Sequence, residues 1–150
     1  MEIRVVLFLP HDAASVPVSR QVLNSCLHTL GVTEEVRNDL ALALTEACAN
    51  VVKHAGPGDE YEVTASASDG RCVVEVLNAG NPVPAQAAAG GMPPPEAEHG
   101  RGLQIIDAVA DDVRLTGNGR AGTTVHFEKA LQWEPGATGR ALFSAGPPAG

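Results

Sequence analysis

The sequence predicts an α+β domain in which helices cover one face of a mostly antiparallel sheet. The apolar pattern changes period along the chain in the order β, α, α, β, β, loop, α, β, β. Runs of helix followed by hairpins favour segregated layers over alternating βαβ units. Two turn signals, Asp69-Gly70 and Gly117-Asn118-Gly119-Arg120, join neighbouring strand patterns into hairpins. At 150 residues the chain is one domain, long enough to bury a core.

Residues 2–9 alternate loosely in Val, Ile, Leu and Phe and read as the first strand. Ser15 or Ser19 is placed to cap a helix that runs to about Leu30 and stops at Gly31. Thr33, followed by Glu34 and Glu35, starts a second helix, with acids in the first turn where the helix dipole favours them. That helix extends to Gly56-Pro57-Gly58. Strands follow at residues 61–68 and 71–77, a short helix at 103–110, and strands at 112–116 and 123–129. Residues 82–98 are mostly Ala, Pro and Gly, too poor in large side chains to pack a core, and are expected as a mobile loop. The expected domain spans residues 1–133, with 134–150, EPGATGRALFSAGPPAG, as a disordered tail.

Composition removes several functions. A net charge of −8 disfavours a nucleic-acid surface, which needs grouped Lys and Arg, and one Trp with one Tyr leaves no platform for stacking bases. No apolar run approaches the roughly 18 residues of a membrane span. The start, MEIRVVLFLPHD, lacks a basic leader and a cleavage site, so a cytoplasmic protein is expected. Cys26, Cys48 and Cys72 are odd in number, far apart and each within an apolar pattern, which reads as buried free thiols.

The stretch LALALTEACANVVKHA, residues 40–55, is more than a core helix. On a wheel of about 100° per residue, Val36, Leu40, Leu44, Ala47 and Val51 form one apolar stripe. Glu46, Asn50 and Lys53 cluster beside it, with His54 on the border. The carboxamide of Asn50 is a hard ligand suited to Mg²⁺, the carboxylate of Glu46 one turn away can accept a proton, and Lys53 or His54 can meet phosphate. The plain alternative is a solvated helix face. His99-Gly100-Arg101-Gly102-Leu103 precedes the short helix, where glycines allow close approach, exposed N–H groups bind phosphate and Arg101 adds charge; an ordinary glycine loop is the competing reading. Asn78-Ala79-Gly80 follows a strand and offers a donor and an acceptor to a heterocycle edge, or simply makes a turn. Thr123 opens the last strand and can bond a ligand, although Thr is also a good strand residue.

Together and in this order, these segments resemble the GHKL (Bergerat-fold, histidine kinase-like) ATPases. Within them they resemble the small stand-alone anti-sigma regulatory factors of the serine-protein-kinase type. TEACANVVKHA resembles the family's N-box, VEVLNAG its first glycine box, EHGRGLQII its second and GTTVHF its third, over roughly residues 5–130. The resemblance implies a two-layer α/β sandwich on a mixed, mostly antiparallel sheet, with ATP and Mg²⁺ as ligands. It implies Glu46 as general base, Asn50 as the Mg²⁺ ligand and His54 lining the pocket beside the phosphates. Gly100, Arg101, Gly102 and Leu103 would wrap the phosphates, residues 82–98 would form the ATP lid, and Thr123 would sit near the adenine.

The family reads adenine with an aspartate that accepts from the exocyclic amine; the matching residue here is Asn78, in the box that contains Gly80. A neutral acceptor bonds about 1 kcal/mol more weakly than an ionised one, which implies about fivefold weaker binding. The box's second glycine is Pro82 here, which removes a donor. The implied function is a Mg²⁺-dependent protein serine kinase that binds a sigma factor and phosphorylates an anti-anti-sigma (STAS-type) partner, and members of this size work in many cases as homodimers. The alternative is a binding module of the same fold, weak or inactive towards nucleotide, that sequesters a regulatory protein.

Overall fold

The computed structural model of the chain describes residues 1–54, 60–78, 99–118 and 122–144. Its strands are β1 (Glu2–Pro10), β2 (Glu60–Ser68), β3 (Arg71–Asn78), β4 (Asp112–Asn118) and β5 (Gly122–Ala130). Its helices are α1 (Ser15–Leu30), α2 (Glu34–His54), α3 (His99–Val109) and α4 (Thr138–Ser144). The strands form one sheet in the order β1-β2-β3-β5-β4, the α+β architecture expected from the pattern of elements. The crossover through α3 joins β3 to β4, which run the same way. Because β5 lies between them, every hydrogen-bonded strand pair among the described residues is antiparallel.

The apolar stripe of α2 forms the middle of the core. Val36, Leu40, Leu44, Ala47 and Val51 are all buried, against Val63, Ala65, Val74, Val76, Val125 and Phe127 of the sheet. Burial stabilises by about 1.5–3 kcal/mol for each of the larger side chains. Asp69 (φ 50°) and Gly70 (φ 76°) make the β2–β3 turn with two positive φ angles, the requirement of a type I′ hairpin. Gly31 (φ 87°) ends α1: its N–H bonds the carbonyl of His28, and the N–H of Val32 bonds that of Leu27.

Three local expectations are corrected. Neither serine caps α1. Ala14 holds the N-cap position, and its N–H is taken by Asp12 Oδ1 at 2.8 Å. Ser15 Oγ donates to the Asp12 carbonyl and shares a 2.6 Å bond with Tyr61 Oη, while Ser19 Oγ donates to the Val16 carbonyl. These hydroxyls are buried, and partners inside the fold satisfy them. Next, α3 begins at His99 rather than Leu103, so the glycine motif is the helix's first turn instead of a loop before it. Last, residues 134–144 are not a disordered tail. Trp133 pairs with Val32 and stacks on Phe143 at 5.8 Å, Ala137 is buried, and the N–H of Glu134 bonds the carbonyl of Gly31. A count of Pro and Gly misses these few apolar anchors. Residues 145–150 lie outside the described residues.

On the sheet face turned away from the helices, β3, β4 and β5 carry a charged cluster, while Val6 and Phe8 of β1 leave two apolar side chains exposed. His126 Nε2 bonds Glu128 Oε2 at 3.0 Å, Arg71 reaches Glu128 Oε1 at 3.0 Å, and Arg114 reaches Asp112 Oδ2 at 3.1 Å. The His126 ring, and then Arg71, hold the Glu128 carboxyl below the usual carboxylate range against a partial opposing effect of burial. Asp112, His126 and Glu128 bring ligand-type atoms within 4.8 Å of one another, but the two arginines already supply the positive charge there. Cys48 and Cys72 are buried and Cys26 half-buried, all as free thiols, and burial pushes the Cys72 thiol up to about 12, so it stays neutral and inert. No helix among the described residues is long and apolar enough to cross a membrane.

Candidate functional site

The site is built where the first turn of α3 meets the second half of α2. Glu46 and Asn50 are four residues apart, so both project from one side of α2, and both are half-buried at the edge of the core. Gly102 is buried against them. A methyl group built on it would stand 3.2 Å from Asn50 Nδ2 and 3.7 Å from Glu46 Oε2. A side chain there would fill the space between the two helices, so glycine is what brings the helix start up to the carboxylate and the carboxamide. The first turn of a helix carries N–H groups with no partner inside the helix and the positive end of its dipole. The structure therefore brings together a carboxylate, a carboxamide and the start of a helix, from segments about fifty residues apart in sequence.

A lysine that the motif reading passed over fixes this geometry. Lys129 Nζ donates to the carbonyl of Val109 at the end of α3 (2.7 Å) and pairs with Asp39 Oδ2 near the start of α2 (3.2 Å). Gly102 meets the far half of α2, so the two helices run antiparallel, tied at one end by Lys129 and touching at the other through Gly102. Its signal was present in the strand alternation: Val125 and Phe127 point into the core, and Lys129 is next on that face.

A second pole lies at the end of the sheet. Asn78, the last residue of β3, sits directly opposite Thr123 of β5 in the register. Asn78 shares the helix-facing side of β3 with Cys72, Val74 and Val76, and it is 8% exposed. Its Oδ1 is buried and meets no hydrogen-bond partner among the described residues. An unpaired buried acceptor costs about 1–3 kcal/mol, so this oxygen is available to accept from a donor. Thr123 beside it is half-buried.

The other expected site residues are placed as follows. Lys53 is exposed, one turn beyond Asn50, and Leu103 is half-buried against the core. His54 closes α2, and Gly100 and Arg101 stand in the first turn of α3; the side chains of His54 and Arg101 lie outside the described structure. Gly80 and the segment 82–98 lie outside the described residues. A concavity of about 750 Å³ runs between α1 and the first half of α2, past Arg20, His28, Arg37 and Ala41. Ala41 is nine residues before Asn50, which at about 100° per residue is the opposite side of α2, so this groove is separate from the site.

The family model of the histidine kinase-like ATPase domain matches residues 9–129. The chain is similar to the serine-protein kinase RsbW of Bacillus licheniformis, 28% identical over 136 residues, covering 83% of this chain and 84% of the relative. Among solved structures, the chain holding the RsbU and RsbW domains of Rv1364c from Mycobacterium tuberculosis contains this fold in a part of its length, with a TM-score of 0.66 and 20% identity over 86% of this chain, which spans 32% of that longer chain. The SiaB–SiaC complex from Pseudomonas aeruginosa contains a chain of the same fold, with a TM-score of 0.53, 16% identity and coverage of 85% and 88%.

Proposed function

Because the chain belongs to the histidine kinase-like ATPase domain family, we propose that it binds ATP and acts as a Mg²⁺-dependent protein serine kinase and anti-sigma regulatory factor. The observation that carries this reading is the approach of Gly102 to both Asn50 and Glu46. Phosphoryl transfer asks a protein chiefly for positioning and for neutralisation of charge on the phosphates. The N–H groups of the first turn of α3 bind the phosphates. Asn50 would hold Mg²⁺ through its carboxamide oxygen, and the bound ion would supply charge neutralisation. Glu46 takes the proton of the attacking serine hydroxyl as its oxygen bonds to the γ-phosphorus and the bond to the β-phosphate oxygen breaks, releasing ADP. Asn78 and Thr123 receive the base. The phosphoryl acceptor is a serine of an anti-anti-sigma (STAS-type) partner, and the protein regulated is a sigma factor, both cytoplasmic.

A second reading, a sequestering module with a weak nucleotide site, draws on Asn78, which offers the base no charge. Calorimetry separates the two: titration with ATP should show one saturable site in the presence of Mg²⁺, at least tenfold weaker when the ion is chelated. No heat of binding in either condition overturns the kinase reading.

Gly102→Ala should separate stability from function. Alanine is favoured over glycine in a helix by about 1 kcal/mol, so the thermal midpoint should hold or rise. The added methyl presses on Asn50 Nδ2, and ATP affinity should fall about tenfold, since small displacements at a positioned group are costly. An unchanged affinity would show that Asn50 does not face the nucleotide.

A further inference from the structure

Among the described residues, the base end of this site carries no fixed charge and no fixed polarity. Asn78 presents a carboxamide whose buried Oδ1 is unpartnered among the described residues. Its cross-strand neighbour Thr123 presents a hydroxyl, which also donates or accepts. The register positions around them, Leu77 with Thr124 and Gly117 with Thr123, are neutral as well. A carboxylate in this position could only accept. It would bond the 6-amino group of adenine and repel the 6-oxo group of hypoxanthine or guanine. A carboxamide is different, because its two ends are close in size and a half-turn about χ2 exchanges acceptor for donor. Oδ1 forward, it accepts from a 6-amino group and donates from Nδ2 to N1 of adenine. Nδ2 forward, it donates to a 6-oxo group and accepts from the N1–H of the oxopurine. Each base therefore finds both of its bonds, and neither leaves the buried side chain unpaired.

We propose that the site binds 6-oxopurine nucleoside triphosphates alongside ATP, with Asn78 as the residue that relaxes base selectivity; this rests on the nucleotide reading above. The discriminating power lost is large, since a site built to bond a particular polar group rejects an analogue that leaves it unpaired by about 10⁴-fold or more.

Inosine triphosphate is the suitable probe, because it differs from ATP only at C6 and N1 of the base, without the extra amino group of GTP. Calorimetric titration of the unmodified chain with each nucleotide and Mg²⁺ should give dissociation constants within about tenfold of one another. In Asn78→Asp, checked for folding by circular dichroism, the preference for ATP over inosine triphosphate should rise to at least about 100-fold. A gap wider than tenfold in the unmodified chain overturns the inference and leaves the ATP site standing. Binding of neither nucleotide overturns both. The measurement on the unmodified chain decides the matter even if Asn78→Asp fails to fold.

Discussion

Glu46→Gln is expected to slow phosphoryl transfer to the partner's serine by about 10²–10⁴-fold, the usual worth of a general base, while ATP binding and sigma-factor binding survive. That loss corresponds to about 3–5.5 kcal/mol of transition-state stabilisation. Glutamine keeps the length and planarity of the side chain and can still accept a hydrogen bond through its carbonyl, but it cannot take a proton. Glu46 is half-buried on α2, on the side that meets the first turn of α3 and outside the apolar stripe, so the change removes no core contact. The readings of the protein separate here. In a kinase the rate collapses under single-turnover conditions with saturating ATP. In a sequestering module regulation is untouched, because no proton has to move. Transfer at the parental rate would end the case for Glu46 as the base.

The sequence made the site's two helical parts legible for a physical reason. The stripe Val36–Leu40–Leu44–Ala47–Val51 is periodic, so the direction in which α2 faces follows from it, and Glu46 and Asn50 fall off the stripe on one side. The hairpin at Asp69-Gly70 was readable because its φ angles demand those residues. What stayed hidden depends on register and on long-range packing. The pairing of Asn78 with Thr123 joins residues 45 apart across a crossover, and nothing local specifies it. The start of α3 at His99 contradicts the low helix propensity of its two glycines; its packing against α2 overrides that preference. Ser15 and Ser19 looked like caps because the sequence does not reveal that Tyr61 and the Val16 carbonyl claim their hydroxyls. The ordering of residues 134–144 rests on Trp133, Ala137 and Phe143, three contacts scattered through a segment whose composition argues for disorder.

Asn50→Ala should remove the Mg²⁺-dependent part of nucleotide binding and leave the fold intact. The stability side follows from position. Asn50 lies outside the buried stripe, is half-buried, and makes none of the side-chain hydrogen bonds found among the described residues, while alanine is the better helix former at an interior position of α2. The thermal midpoint should therefore stay within a few degrees of the parent. The binding side follows from chemistry. Mg²⁺ demands hard oxygen ligands, and a methyl group offers none. Calorimetry should show the variant binding Mg-ATP no more tightly than the parent binds ATP with Mg²⁺ chelated, a loss of about tenfold or more. The pair of variants then assigns the two residues independently. Glu46→Gln moves the rate and spares the affinity, whereas Asn50→Ala moves the affinity and its dependence on Mg²⁺. If Asn50→Ala bound Mg-ATP as the parent does, the carboxamide that stands 3.2 Å from the methyl position of Gly102 would be a packing contact, and the phosphate end of the site would have to be sought elsewhere.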